Sequence, residues 1–223
     1  MAEGMGRVSK PLVIELFAGT FGWGAGFIAE GYDVVGFDIV DVESELGVPR
    51  TPSCQLVLQD VLTLHGSQFR SATCIVASPP CQEYSYMAMP WSRGKKIAAE
   101  YRDRAREVKQ LTALFDACFR IQREACEAVA RYIPLVVENV RGAETWVGPA
   151  RWHYGSFYLW GDVPALMPKA RVDAGTKHGG DCFNDPLWRG PQAGSKSNAR
   201  KAASAQIAKI PLPLARWVAR CFK

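Results

Sequence analysis

The chain has no apolar run approaching the length of a bilayer span, and no charged-then-apolar leader opens it. Neither a membrane-spanning nor a secreted protein is therefore expected. Its seven cysteines form an odd set without any Cys-x-x-Cys pair, which argues against a disulfide framework and a structural zinc site. A reducing, cytoplasmic setting without a bound metal fits better. Histidine is scarce, with three scattered residues, and only His178 lies near a cysteine, Cys182. Two possible ligands do not make a metal site. A cysteine hydrolase would need a histidine to activate its thiol, and no histidine sits in a motif that suggests one. The chain also lacks internal repeats and a strong charge of one sign. A net charge of +5 permits a polyanionic partner without demanding one.

What is present is an ordinary globular composition, 48% hydrophobic and 22% charged over 223 residues. That suits one domain, or one domain with a small appendage. Leu12-Val13-Ile14-Glu15-Leu16-Phe17 reads as a buried strand. The glycine-rich turn from Ala18 to Gly26 follows, leading into a helix that ends near Gly31. Strand, glycine turn and helix open a nucleotide-binding βαβ unit, although glycines serve tight helix packing equally well. Asp33–Asp38 is a second strand ending in a carboxylate, placed either to bind a ribose hydroxyl or simply to cap a turn. Residues 41–54 read as a loop, and Gln55–Asp60 as a third strand, again ending in an acid.

The fourth strand, Thr73–Ala77, runs into Ser78-Pro79-Pro80-Cys81-Gln82-Glu83-Tyr84-Ser85. Two prolines stop sheet pairing and leave a thiol at the carboxyl end of a buried strand, the edge where open α/β sheets bind ligands. An isolated cysteine is usually one more small buried residue. The double-proline turn and the polar residues after it point the other way. Residues 87–96, with Trp91, Arg93, Lys95 and Lys96, read as a basic surface loop suited to nucleic-acid backbone. Apolar residues at three- and four-residue spacing predict one long helix from about Ile97 to Tyr132. A fifth strand carries Glu138-Asn139-Val140, and Phe157–Trp160 forms a further short one. A second basic cluster lies between Lys169 and Lys201. The chain closes with a proline-started amphipathic helix over Pro211–Arg220.

In order and spacing, these motifs resemble those of the DNA (cytosine-5) methyltransferases, well over residues 11–142 and more loosely over the last dozen. The resemblance implies a Rossmann-like class I S-adenosylmethionine-dependent methyltransferase fold: α/β, with a mostly parallel sheet and helices on both faces. It implies S-adenosyl-L-methionine as cofactor, held by Phe17, Ala18, Gly19, Thr20, Phe21 and Gly22 in the first turn. Asp38 with Ile39, Asp60 with Val61, and Pro80 complete that set. Cys81 corresponds to the nucleophile and Glu138 to the acid. Cytosine C5 is too poor a nucleophile to take a methyl from a sulfonium unaided. A thiolate adding to C6, with a proton delivered to N3, supplies the missing electron density. The target base has to leave the duplex stack before it can react. Gln82, Ser85, Arg93, Lys95, Lys96, Asn139 and Arg151 are the expected contacts to double-stranded DNA.

The sequence also departs from this family. Where members carry Gln-x-Arg-x-Arg, the segment reads Arg151-Trp152-His153-Tyr154-Gly155-Ser156, and the Gly-Asn before the closing prolines is replaced by Ile207-Ala208-Lys209-Ile210. The expected organisation is a catalytic domain over 1–161, a short basic target-recognition segment over 162–201, and a C-terminal helix over 202–223 that packs back on the first. A monomer with short or relaxed sequence preference follows, of a kind suited to a phage or mobile element marking DNA against restriction. Cytosine-5 methylation of RNA and a catalytically silent DNA-binding relative are the competing readings.

Overall fold

A computed structural model describes residues 9–47, 51–82, 84, 91–103, 107–166, 205 and 208–223. Seven strands form one sheet: β1 (Leu12–Leu16), β2 (Asp33–Asp38), β3 (Cys54–Leu58), β4 (Cys74–Ala77), β5 (Leu135–Asn139), β6 (Trp152–Tyr154) and β7 (Phe157–Gly161). Their spatial order is β3-β2-β1-β4-β5-β7-β6. The first five pair in parallel; β7 enters antiparallel beside β5, and β6 pairs antiparallel with β7. The helices are α1 (Gly22–Ala29), α2 (Val42–Leu46), α3 (Trp91–Arg102), α4 (Val108–Val129), α5 (Glu144–Val147) and α6 (Leu212–Cys221). This is a Rossmann-like α/β arrangement, a mostly parallel sheet covered on both faces.

The sequence produces this layering through strands that are apolar on both sides, as parallel sheets require. Successive side chains alternate between faces. Val13, Val34 and Val76 therefore pack with Trp23 and Phe27 of α1 and with Leu214 and Val218 of α6. Ile14, Ile75 and Val137 pack with Leu111, Phe115, Cys118 and Ile121 of α4 on the opposite face. Gly26 lets α6 lie directly on α1, since a Cβ added there would stand 2.3 Å from the Ala215 Cβ. Glu30 at the end of α1 then binds Arg216 and Arg220 of α6 at 2.7 and 3.0 Å. The two guanidiniums, Arg220 foremost, hold its carboxyl down at about 2.

Three expectations change. Residues 91–96 are not loop but the first turns of α3, whose Tyr101 is buried and packs on Trp146 of α5 with ring centroids 5.3 Å apart. One internal glycine, Gly94, costs about 1 kcal/mol relative to alanine, a modest penalty against the burial of Tyr101. The single helix expected over 97–132 is two, α3 and α4. Val108 at the junction is exposed, so the apolar stripe does not run through. The stretch expected to be a 41–54 loop contains α2, capped by the Asp41 carboxylate accepting from the Ser44 amide at 3.0 Å.

Candidate active site

Chain order reverses between β1 and β4: β2 and β3 lie on one side of that pair, β5 and β7 on the other. A crevice opens at the carboxyl ends of strands at such a switch point. Here it is a cleft of about 570 Å³, walled by the segments that leave β1 to β5 and by residues 208–210 as the chain returns.

The turn after β1 forms one wall. Phe17, Gly19 and Phe21 all take positive φ, at 58°, 51° and 52°. For the two phenylalanines this left-handed backbone costs on the order of 1 kcal/mol each and persists only where surrounding contacts impose it. Those contacts are present. The Ala18 amide donates to the Phe37 carbonyl at 3.1 Å, and the Phe21 amide donates to the Ala18 carbonyl at 2.7 Å. The Gly19 amide donates to Asp38 Oδ2 at 2.9 Å. Beneath the turn, Glu15 of β1 accepts from the Trp23 amide at 3.1 Å and from the Gly24 amide at 2.8 Å. A strand carboxylate thus caps α1, a helix whose own N-cap, Phe21, has no side chain able to do so. Glu15 is 2% exposed, and burial pushes its carboxyl up to about 8 against the pull of the two amides and the Lys209 charge.

The second wall carries the acids of β2 and β3. Asp38 accepts from the Gly19 and Val40 amides, and Asp60 from the Leu62 amide at 2.9 Å. A carboxylate offers about four acceptor sites, so each retains capacity toward a ligand. Ile39 lines the same cleft and is 69% exposed, an apolar surface for a flat apolar group. Val61 also lines it and is buried.

The opposite wall comes from β4 and β5. The Ser78 amide continues the sheet by donating to the Leu16 carbonyl at 3.2 Å, and Trp23 Nε1 donates to Ser78 Oγ at 3.2 Å. Asn139 Nδ2 donates to the Pro79 carbonyl at 2.9 Å, while its Oδ1 accepts from the Val140 amide at 2.8 Å. This side chain ties the two strand ends together, which fixes the turn bearing Cys81 relative to Glu138. Below, Tyr84 donates from its hydroxyl to the Leu111 carbonyl at 2.8 Å, and its amide donates to the Cys81 carbonyl. Cys81 and Glu138 both line the cleft, the first half-buried and the second 7% exposed. Cys74 and Cys118 are instead sealed in the core, where burial pushes their thiols up.

The expected site residues therefore divide. Phe17, Ala18, Gly19, Thr20, Gly22, Asp38, Ile39, Asp60, Val61, Pro80, Cys81, Gln82 and Glu138 share this one cleft. Phe21 does not line it: its ring packs beneath, where a Cβ on Gly36 would stand 2.4 Å from Cε1. Asn139 is 1% exposed with both ends of its amide engaged inside the protein, so it positions the site and does not contact DNA. Arg151 is exposed at the start of the outer strand β6, away from the cleft. Lys95 and Lys96 are exposed on α3; Arg93 belongs to the same helix. Ser85 and most of the 162–201 segment lie outside the described residues.

No family model and no curated protein matches the chain. Among solved structures, a prophage-encoded DNA modification methyltransferase of E. coli shares 22% identity over 60% of this chain and 33% of its own, with a TM-score of 0.40. The S. pombe Dnmt2 methyltransferase shares 18% over 63% of this chain and 37% of its own, at 0.41. The Entamoeba histolytica methyltransferase EhMeth shares 19% over 63% and 41%, at 0.37. The chain thus spans only a third to two-fifths of their lengths. At such overlaps the functional reading rests on the cleft itself.

Two lining residues had no clear signal in the sequence. Glu15 opens the Glu15-Leu16-Phe17-Ala18-Gly19 stretch that resembles a cofactor loop, but nothing in the sequence shows that its side chain caps α1. Lys209 reaches the cleft because the returning chain packs on α1, where a Cβ on Gly22 would stand 2.6 Å from the Ile210 nitrogen. Among the described residues no group of three or more histidine, cysteine or acidic side chains is arranged to hold a metal, and no helix is long and apolar enough to cross a membrane.

Proposed function

We propose that this chain transfers a methyl group from S-adenosyl-L-methionine to C5 of cytosine in DNA, through a covalent bond between Cys81 and C6 of the base. One observation carries the reading: a thiol and a buried carboxyl from neighbouring strand ends share a cleft with a strained glycine turn and two strand-end acids.

The cleft suits the cofactor. Asp38 and Asp60 can accept from ribose hydroxyls and an adenine amino group, and exposed Ile39 in the same cleft offers a surface to the adenine face. The cofactor, when bound, supplies an electrophilic methyl on a sulfonium. The protein's part is binding, orientation and proton handling. In the proposed sequence Cys81 Sγ, as thiolate, adds to C6 of a cytosine turned out of its stack, and Glu138 gives a proton to N3. Electron density moves to C5, which takes the methyl. The C5 proton then leaves to a base or water, the Sγ–C6 bond breaks, and Glu138 recovers its proton from N3. Asn139 keeps the two reacting side chains in register by tethering the Pro79 carbonyl. The exposed lysines of α3 offer charge to the phosphate backbone.

Radiolabelled methyl transfer to duplex DNA and to tRNA, followed by bisulfite sequencing of DNA from cells expressing the protein, tests this. The expected result is label in DNA, located at C5 of cytosine. Label in tRNA alone would transfer the reading to RNA, and label in neither would make the chain a silent binding relative.

A further inference from the structure

Around the cleft, the described lining carries five acidic side chains against one basic one, Lys209. Burial keeps Glu15 protonated near neutral pH and Glu138 is the proposed proton donor, which leaves Asp38, Glu45 and Asp60 to face a cationic ligand. That imbalance suits a ligand that is mostly cationic and carries one anion. Resting on the methyl-donor reading above, S-adenosylmethionine is such a ligand, with a sulfonium, an ammonium and a single carboxylate. The acids can serve the two positive groups, and the carboxylate needs a different partner.

The usual seat for such an anion, the amino end of the helix after β1, is partly taken. Glu15 places its own oxygens on the Trp23 and Gly24 amides, so two of the first donors of α1 are spent on a side chain. Lys209 stands beside that helix end. The next residue, Ile210, is in contact with Gly22, and the lysine's charge acts on both Glu15 and Cys54. Lys209 is half-buried and lines the cleft, where its ammonium can answer a charge that enters.

We infer that Lys209 binds the carboxylate of the methyl donor's amino-acid end, and is therefore a specificity-determining residue for an intact S-adenosylmethionine. A flexible four-carbon stem with a compact charge suits reaching a carboxylate from the returning segment, and arginine can make the same contact.

Calorimetric titration of the full chain with S-adenosylmethionine, S-adenosylhomocysteine and decarboxylated S-adenosylmethionine tests the assignment in wild type, Lys209→Met and Lys209→Arg. Losing one charge-assisted hydrogen bond should weaken the two carboxylate-bearing ligands by about 10- to 100-fold in Lys209→Met. The decarboxylated ligand should bind both proteins alike, and Lys209→Arg should recover most of the affinity. Two results would overturn the inference: equal binding of the carboxylate ligands to wild type and Lys209→Met, or a loss that is the same with and without the carboxylate. The second would mean that the lysine acts on the fold or on a phosphate. Failure of wild type to bind any of the three would instead remove the methyl-donor reading itself, and this inference with it.

Discussion

The inner wall of the cleft and the outer margin of the sheet are built differently. At the inner wall, Glu15, Asp38, Ser78 and Asn139 each cross from one strand end to another element, and together they fix the turn that carries Cys81. At the margin, β6 is a three-residue strand paired on one side only. There Arg151 and His153 are exposed, and His153 stacks on Tyr158 at 5.0 Å. The turn that carries Cys81 is thus held by hydrogen bonds, whereas Lys95, Lys96 and Arg151, proposed to meet DNA, lie exposed. Changes to the inner wall should therefore alter rate, and changes to the outer surface should alter affinity and its salt dependence.

The sharpest break of that contrast is Glu138→Gln. An amide cannot deliver the N3 proton, so the turnover rate should fall by about 10²- to 10⁴-fold while cofactor binding is unchanged. A loss of affinity with turnover intact, measured by single-turnover methyl transfer, would place Glu138 outside the chemistry. Asn139→Ala comes next. It frees the Pro79 carbonyl and lets the Cys81 turn drift, which should lower kcat by about 10- to 100-fold with little change in KM for DNA. A change in KM alone would instead restore Asn139 to the DNA contacts.

Glu15 supplies a stability test of the same wall. Its folded carboxyl titrates near 8 and its unfolded one near 4.5, because burial disfavours the charge. Between those values the folded protein holds a proton that the unfolded chain has released, so this residue's contribution to stability falls as pH rises from about 4.5 to 8. Thermal melts of Glu15→Gln should show a flatter slope than wild type over that window. An unchanged slope would mean that Glu15 is ionised throughout. The smallest effect belongs to the margin. Replacing both Lys95 and Lys96 by glutamine should weaken DNA binding and reduce the slope of log affinity against log salt by about 1 to 2, with turnover at saturating DNA unaltered.

The same contrast explains what could be read from the sequence. The strands of the sheet centre were legible because they are buried on both faces and end in Asp38, Pro79-Pro80-Cys81 and Glu138. Boundaries set by distant packing were not. α3 is seated by Tyr101, near its end, meeting Trp146, and β6 pairs only because β7 offers it a partner. Asn139 adjoins a catalytic candidate in sequence, but whether its amide faces outward or back to Pro79 is decided by the neighbouring strand. Phe21 follows the same rule, since only the sheet supplies the gap over Gly36 that its ring fills. Lys209 is the extreme case, brought to the cleft by a helix contact far from it in sequence.

The central claim is that Cys81 forms a bond to the target base. Incubating the full chain with duplex DNA containing 5-fluorocytosine and S-adenosylmethionine tests it directly, because fluorine at C5 cannot leave as a proton does and the adduct accumulates. A denaturation-resistant protein–DNA band in wild type that is absent in Cys81→Ser is the expected result. No band in wild type, or a band that survives the substitution, would contradict the account.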